Sequence, residues 1–356
     1  MCAVSRRFLF RPAEGRRFLI DSGYMAFNYG DQEIEYEIKQ GLFDSEFIEE
    51  ASSEAEWCNS KGIKILSIMD KEYPDKMREC EDAPVVLYYK GSADLNPPKV
   101  ISIIGTRLVS SYGRECCSMI VKKLAAGGYD PLIVSGLAYG VDICAQRSAL
   151  DEGLETVAVL PNGLDMIYPA KHREDACRMV SKGGLITEFP RGIEPYKINF
   201  IKRNRIIAGM ADAVVVIETR IKGGAMSTVE FANSYNKEVF ALPGHVLEAN
   251  SYGCNYLISK NMAHILNSAD TIPELLGWRD EIDVYLQQPA LFASDSILLK
   301  KVIAIIKRRG CLDAGQLCEE ADIEFSQAAS ALLELEIEGY IENVGLRGYR
   351  IKRVAK

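Results

Sequence analysis

Between residues 100 and 242, six short runs rich in valine and isoleucine alternate with segments of helical periodicity. The runs lie at 100–104, 132–135, 156–160, 185–188, 213–217 and 239–242. Helices are predicted at 111–126, 141–152, 171–182, from 197 onward, and at 227–236, with Ser111 as the N-cap of the first. Strands that are apolar on both faces must be covered on both faces, and a helix after each strand permits a parallel crossover. The pattern predicts an α/β fold, a doubly wound, Rossmann-like parallel sheet occupying 93–278.

Such sheets bind ligands outside the carboxyl ends of their strands. Those ends carry Gly105-Thr106-Arg107, the turn from Ser135-Gly136 to Gly140, Pro161-Asn162-Gly163, Glu188 and Glu218. Neither a Gly-x-Gly-x-x-Gly turn nor a Walker sequence is present. The first turn instead offers a glycine for close backbone approach, hydroxyls at Thr106, Ser110 and Ser111, the Tyr112-Gly113 pair, and the Arg107 guanidinium. Those groups suit a phosphate. A third glycine turn runs from Lys222 to Thr228.

One stretch stands out by charge. Residues 197–205 hold Lys197, Lys202, Arg203 and Arg205 without a carboxylate, in a protein of formal net charge −8. Concentrating cations on an acidic protein points to an anion at that place. Phe200 adds a flat ring on which a base could stack, and Asn204 adds an amide. On such a protein, nucleic-acid binding must come from a focused patch.

Other classes are disfavoured. No apolar run approaches the roughly 20 residues of a membrane helix, and the N-terminus does not read as a signal peptide. Ten cysteines at irregular spacing, with no Cys-x-x-Cys, suggest reduced thiols in the cytoplasm. His172, His245 and His264 have no paired-ligand spacing, so neither a metal nor a cofactor is expected.

The flanks differ from the centre. Residues 1–92 read as a small helical module, with ten carboxylates and one lysine between 31 and 60, followed by short strands at 64–68 and 85–89. An acidic linker is expected at 279–295. Residues 296–356 read as a winged helix: helices at 297–309, 313–320 and 326–338, then a hairpin of 340–342 and 349–351. Its third helix carries Glu334, Glu336 and Glu338, which argues against reading a duplex groove and for contact with protein, or with DNA through the wing alone.

The chain resembles the DNA-processing protein A (DprA/Smf) family. The likeness rests on Ile104-Gly105-Thr106-Arg107 with Tyr112-Gly113, the run from Ser135 to Asp142, Val157 to Leu160, Gly163-Leu164-Asp165 with Tyr168-Pro169, Arg203 to Ile207, and Leu242-Pro243-Gly244. The sequence departs from the family pattern at Gln146, at Ile201 and around Gly223 to Val229, without losing a cation. The resemblance implies a homodimer that binds single-stranded DNA without sequence preference and loads the RecA recombinase during natural transformation. Carried onto this chain, it implies a groove lined by Arg107 and the turn after it, Lys197, Phe200, Lys202, Arg203, Asn204 and Arg205. Dimerisation is expected beyond about Val214. No catalysis is expected. The competing reading is an N-glycoside hydrolase of nucleoside monophosphates, which a signature resembling Gly223 to Glu230 would suggest, with Glu230 catalytic. A non-catalytic nucleotide sensor is a third.

Overall fold

The computed structural model describes residues 45–278, 293–337, 340–345 and 348–351. The chain divides into two compact units between Leu276 and Gly277. Of the expected acidic linker, 279–292 lies outside the described residues and 293–295 open a helix; of the acidic N-terminal stretch, 31–44 lies outside them.

The first unit opens with helix α1 (Ser45–Ser60), strand β1 (Lys64–Ser67), the short helix α2 (Asp75–Arg78) and strand β2 (Val86–Gly91). The βα series follows: β3 (Val100–Ile104), α3 (Ser111–Ala126), β4 (Leu132–Ser135), α4 (Val141–Asp151), β5 (Thr156–Val159), α5 (Arg173–Ser181), β6 (Gly183–Thr187), α6 (Lys197–Gly209), β7 (Ala213–Val216), α7 (Gly224–Ser234) and β8 (Glu238–Ala241). Helix α8 (Tyr252–Ser259), strand β9 (His264–Ile265) and helix α9 (Thr271–Leu275), which sequence periodicity did not reveal, complete it.

The strands form one nine-stranded sheet in the order β1-β2-β6-β5-β4-β3-β7-β8-β9. From β6 to β9 every pairing is parallel; β2 runs antiparallel to β6, and β1 antiparallel to β2. The direction of strand addition reverses between β3 and β7, which opens a crevice at their carboxyl ends. Val and Ile fill the central strands because both faces are helix-covered, and Ile101, Ile133, Val134, Val214 and Val215 have no exposed surface.

The expected boundary at 92/93 is corrected by this sheet. Strands β1 and β2 are hydrogen-bonded members of it, with Tyr88 opposite Thr187 and Tyr89 opposite Ile186. They cap the β6 edge that would otherwise stay open. Helix α1 is tied on at Arg191: the buried Glu54 accepts its backbone N–H at 2.9 Å and lies 3.4 Å from its side chain, and Trp57 packs its ring 5.8 Å from the guanidinium.

Buried hydroxyls tie neighbouring elements together. Ser102 donates to the Ile207 carbonyl at 2.6 Å, Ser135 to Ile103 at 2.6 Å, and Thr156 to Ile133 at 2.8 Å. The first of these fixes α6 against β3. A second tie comes from Arg205, which is 3% exposed, ion-paired with the buried Glu188 carboxylate at the end of β6, and hydrogen-bonded to the Asp82 carbonyl. Burial works against the Arg205 cation, but Glu188 and Asp82 outweigh it and hold its pKa above the ordinary value.

The second unit holds helices α10 (Ala293–Arg309), α11 (Ala314–Ala321) and α12 (Phe325–Ile337) and an antiparallel hairpin of β10 (Ile341–Asn343) and β11 (Tyr349–Ile351). Asp313 caps α11 in a reciprocal box with Gln316. Its own apolar cluster includes Val302, Ile306, Leu317, Leu332, Leu335 and Ile341.

Removing one member of a buried ion pair leaves the other charge uncompensated, at a cost of about 3–5 kcal/mol. Arg205→Ala and Glu188→Ala should each lower the unfolding free energy of the chain by about that amount in urea titrations. Equal stability to wild type would show that the pair does not anchor α6.

Candidate functional site

The crevice at the switch in strand order holds a cleft of ≈ 300 Å³. Four segments build it: the turn after β3, the turn after β4, the first half of α6, and the turn from β7 into α7. Gly105, Thr106, Arg107, Asp142, Phe200, Arg203, Asn204, Thr219, Arg220, Gly223, Gly224 and Thr228 line it, above a floor that includes Ile104 and Ile207.

The turns interlock through main chain. The Thr106 N–H donates to the Glu218 carbonyl at 2.7 Å, and the Val141 N–H donates to the Thr106 carbonyl at 3.2 Å. Gly140 sits at φ +82°, and a Cβ there would meet the Thr106 carbonyl oxygen at 2.2 Å. Glycine is therefore required for the β3 and β4 turns to touch. That contact fixes the backbone that carries Arg107.

On α6, residues 197, 200, 201 and 204 share one face at helical spacing. Phe200 is half-buried on it, and three groups surround its ring. The exposed Arg107 guanidinium lies 4.9 Å from the ring centroid, Arg203 lies 6.0 Å away, and the Tyr168 ring meets it edge-on at 5.7 Å. An arginine facing a ring is held by the ring's quadrupole. Asn204 donates to the Ser227 hydroxyl at 2.9 Å and so joins α6 to α7.

Arg203 lines the cleft although its residue is only 3% exposed. Its Nη1 donates to the Val159 carbonyl at 2.8 Å, while its buried Nε has no partner. Burial pulls its pKa down to about 10, opposed by Asp142 and reinforced by Arg107, so it is a cation at neutral pH. Asp142 is also buried, and burial pushes its carboxyl above the ordinary range, against the pull of Arg203 and of hydrogen bonds from the Ala138 and Gly136 backbone.

Several expected site residues are placed elsewhere. Arg205 spends its charge on Glu188 inside the domain, so its assignment to a phosphate is corrected. Ser135 is fully buried and bonded to Ile103, which corrects its assignment too. Gly136 makes room for the Arg203 guanidinium: an added Cβ would lie 1.6 Å from Nη1. The basic stretch thus owes part of its charge to buried carboxylates, and the premise that all four cations await an outside anion is corrected.

The first turn also divides. Gly105, Thr106 and Arg107 face the cleft, whereas Ser110 and Tyr112 line a second hollow of ≈ 650 Å³ with Glu218, Pro243 and Gly244. Ser110 caps α3 by accepting the Gly113 N–H at 3.0 Å, and its own N–H donates to Glu218 at 2.9 Å. Gly113 leaves space for Glu218, whose carboxylate would lie 2.8 Å from an added Cβ. The Tyr112 hydroxyl donates to the Pro243 carbonyl at 2.8 Å. Lys197 is exposed and Lys202 half-buried on α6, and neither is among the residues lining the cleft.

Two contributors escaped sequence reading. Arg220 stands two residues beyond the Glu218 strand end, where the ligand edge was expected, and is exposed in the cleft. Tyr168 lies far from α6 in sequence, so nothing local announces its contact with Phe200. The Glu230 carboxylate of the hydrolase reading is exposed on α7 and is not among the residues lining the cleft. Among the described residues no cluster of His, Cys, Asp and Glu could hold a metal, and no helix is long and apolar enough to cross a membrane.

Fold and site together define a doubly wound α/β protein with a cationic, aromatic-bearing cleft at the switch in strand order. The chain belongs to the DNA recombination-mediator protein A family, whose model matches residues 64–277. The DNA processing protein DprA of Streptococcus pneumoniae is 35% identical over 209 residues, 59% of this chain and 73% of that protein. The X-ray structure of DNA processing protein A from S. pneumoniae aligns with a TM-score of 0.61 at 30% identity, over 72% of this chain and 90% of that one. A structure of the Helicobacter pylori protein, described for its single-stranded DNA binding mode, aligns with a TM-score of 0.55 at 30% identity, over 61% of this chain and 96% of that one.

Overpacking a filled site costs about 1–3 kcal/mol. Gly136→Ala should lose that much unfolding free energy by displacing Arg203. Gly224→Ala, where nothing lies within 4 Å of the added carbon, should stay within about 0.5 kcal/mol of wild type. Equal effects in urea titration would contradict the packing described for Arg203.

Proposed function

We propose that this protein binds single-stranded DNA without sequence preference, with the cleft and the exposed face of α6 as the binding surface. The observation that carries the reading is Phe200, half-buried and flanked by the Arg107 and Arg203 guanidiniums at a ligand-binding sheet edge. Aromatic stacking accepts any base, and cations hold the phosphates that every sequence shares. Family membership and the strand-binding mode described for the H. pylori relative support it.

In this proposal Phe200 stacks a base, Arg107 clamps a phosphate, and Lys197 and Lys202 follow the backbone along α6. Gly105 and Thr106 let the strand approach, and Asn204 holds the α7 side of the cleft. Arg203 acts from beneath, supporting Phe200 and adding charge. Ser110, Tyr112 and Gly113 shape the rim beside the second hollow. The protein would act in the cytoplasm as a non-catalytic homodimer that protects incoming strands and hands them to the RecA recombinase in natural transformation.

The second unit, three helices and a hairpin, is read as a winged helix that contacts protein rather than duplex. Its α12 carries Glu334 and Glu336, and exposes Phe325, Leu333 and Ile337 where a groove-reading helix would need cations.

Fluorescence anisotropy with a labelled oligothymidylate tests the reading. Affinity should fall as salt rises, by about 0.7 log units per log unit of salt for each phosphate held. Phe200→Ala should weaken binding by about 1–3 kcal/mol. Arg107→Ala should weaken it and flatten the salt dependence. Unchanged affinity in both variants would place the strand elsewhere.

A further inference from the structure

We infer that Cys117 and Cys144 form a dithiol site that a hydroperoxide closes to a disulfide, cross-linking helix α3 to helix α4. Neither cysteine is among the residues lining the cleft, and the inference does not depend on the strand-binding reading.

The two helices meet through short side chains. On α3, Arg114, Cys117 and Ser118 share one face at helical spacing, and on α4 Cys144 and Ser148 do the same. The Ser118 and Ser148 hydroxyls hydrogen-bond at 2.9 Å, which side chains this short permit only where the helices approach closely. Beside them, the Cys144 sulfur lies 3.8 Å from the Ser118 hydroxyl and 3.7 Å from the Arg114 carbonyl oxygen. The Cys117 thiol hydrogen-bonds to that same sulfur. Two sulfurs from different helices are therefore in direct contact.

The pair is unequal in access and in acidity. Cys144 is half-buried, whereas Cys117 has no exposed surface. The Cys117 hydrogen bond, then those of Ser118 and Ser148 and the Arg114 charge, bring the Cys144 pKa down to about 6 against its burial. Arg147 is a second cation near Cys144, and Asp142 is the acid near Cys117. The shared hydrogen bond, followed by burial, pushes the Cys117 thiol up. At neutral pH Cys144 is thus a thiolate within reach of solvent, and Cys117 is its protonated neighbour. A reachable thiolate beside a second cysteine is the arrangement that responds to peroxide. Cys116 lies about 100° around the helix and hydrogen-bonds to Tyr112 instead.

The chemistry takes two steps. The Cys144 thiolate attacks one oxygen of the hydroperoxide: an S–O bond forms, the O–O bond breaks, and the other oxygen takes a proton and departs as water or alcohol. The Cys117 sulfur then attacks the Cys144 sulfur. An S–S bond forms, the S–O bond breaks, and the hydroxyl leaves as water with the Cys117 proton. In sum, two thiols lose two electrons and two protons to the peroxide. Cys117 needs no access to solvent, because its partner is the sulfur it already touches. Closed, the bond ties the helix that follows the Arg107 turn to the helix that follows the Gly136 turn. In the cytoplasm proposed above, thiol reductants reopen it.

The test treats the reduced full-length chain with hydrogen peroxide at pH 7, blocks the remaining thiols with N-ethylmaleimide, and maps the cysteines by peptide mass spectrometry. The peptides of Cys117 and Cys144 should be joined, two hydrogens lighter than the reduced pair, and dithiothreitol should separate them. Alkylation of Cys144 by iodoacetamide should rise with pH around a midpoint near 6 as the thiolate forms. In Cys117→Ser, dimedone should capture the Cys144 sulfenic acid, which the wild type consumes. Cys144→Ser should give neither the joined peptide nor the dimedone adduct at Cys117, and Cys116→Ser should still join 117 to 144. The wild-type map decides the matter even if a variant fails to fold. Both thiols still open to N-ethylmaleimide after peroxide, Cys144 oxidised without joining Cys117, or Cys144 joined to another cysteine would each overturn the inference.

Discussion

Two arginines, two positions apart on α6 and both inside the protein, set the geometry of everything at the crevice. Residues i and i+2 on a helix point about 200° apart, so Arg203 and Arg205 reach into different layers. Arg205 enters the packing between Glu188 and the Asp82 loop, and Arg203 enters the space between β5 and the turn after β4. A helix held by an ion pair on one side and a hydrogen-bonded guanidinium on the other resists rolling. Its remaining face, with Lys197, Phe200 and Asn204, is thereby presented to the cleft in one orientation. The groups that receive them, Glu188 beyond β6 and the Val159 carbonyl of β5, belong to strand ends, so the sheet dictates where α6 must lie.

Three glycines around the crevice show how closely its segments meet. Gly136 is empty because Arg203 fills its side-chain position, Gly113 because Glu218 does, and Gly140 because the Thr106 carbonyl passes across it. Each of these glycines gives space to a polar group from another segment. The crevice is thus assembled by polar main-chain and side-chain contacts over an apolar floor, rather than by hydrophobic packing alone. Such contacts are directional, so they hold a site within narrow limits where apolar packing would tolerate sliding.

The parallel core was legible from residue order, because burial on both faces leaves a compositional trace in every strand from 100 to 242. The edges were less so. Strands β1 and β2 carry the same apolar character, but nothing in their own residues states that they run antiparallel onto β6, since pairing partners are set by tertiary packing. The two-residue β9 is too short to leave a period. At the site, the basic stretch drew attention correctly to α6 but concealed a division of labour. Charge is visible in sequence and burial is not, so Arg205, which neutralises Glu188, reads the same as a cation that faces solvent. The missing information lay in Glu188 and Asp142, acids remote in sequence whose role depends on the fold. Arg220 was equally visible as a residue, yet only the return of β7 beside β3 puts it opposite Arg107 across one cleft.

That juxtaposition bears on how a polyanion could be held. Arg107 stands on a turn fixed by main-chain bonds to β7 and α4, so its Cα is placed while its side chain stays exposed against the Phe200 ring. Resting on a ring orders a long side chain without committing its donors to a carboxylate, which would lower the ordering cost of contacting a phosphate. Arg203 offers the opposite arrangement: it is already ordered and desolvated, so the cost of burying its charge was met in folding rather than in binding. A site that combines one exposed and one buried guanidinium around a single ring can therefore respond to ionic strength through the first and hold its shape through the second. Salt screens the exposed charge within a Debye length of about 8–10 Å and reaches the buried one far less.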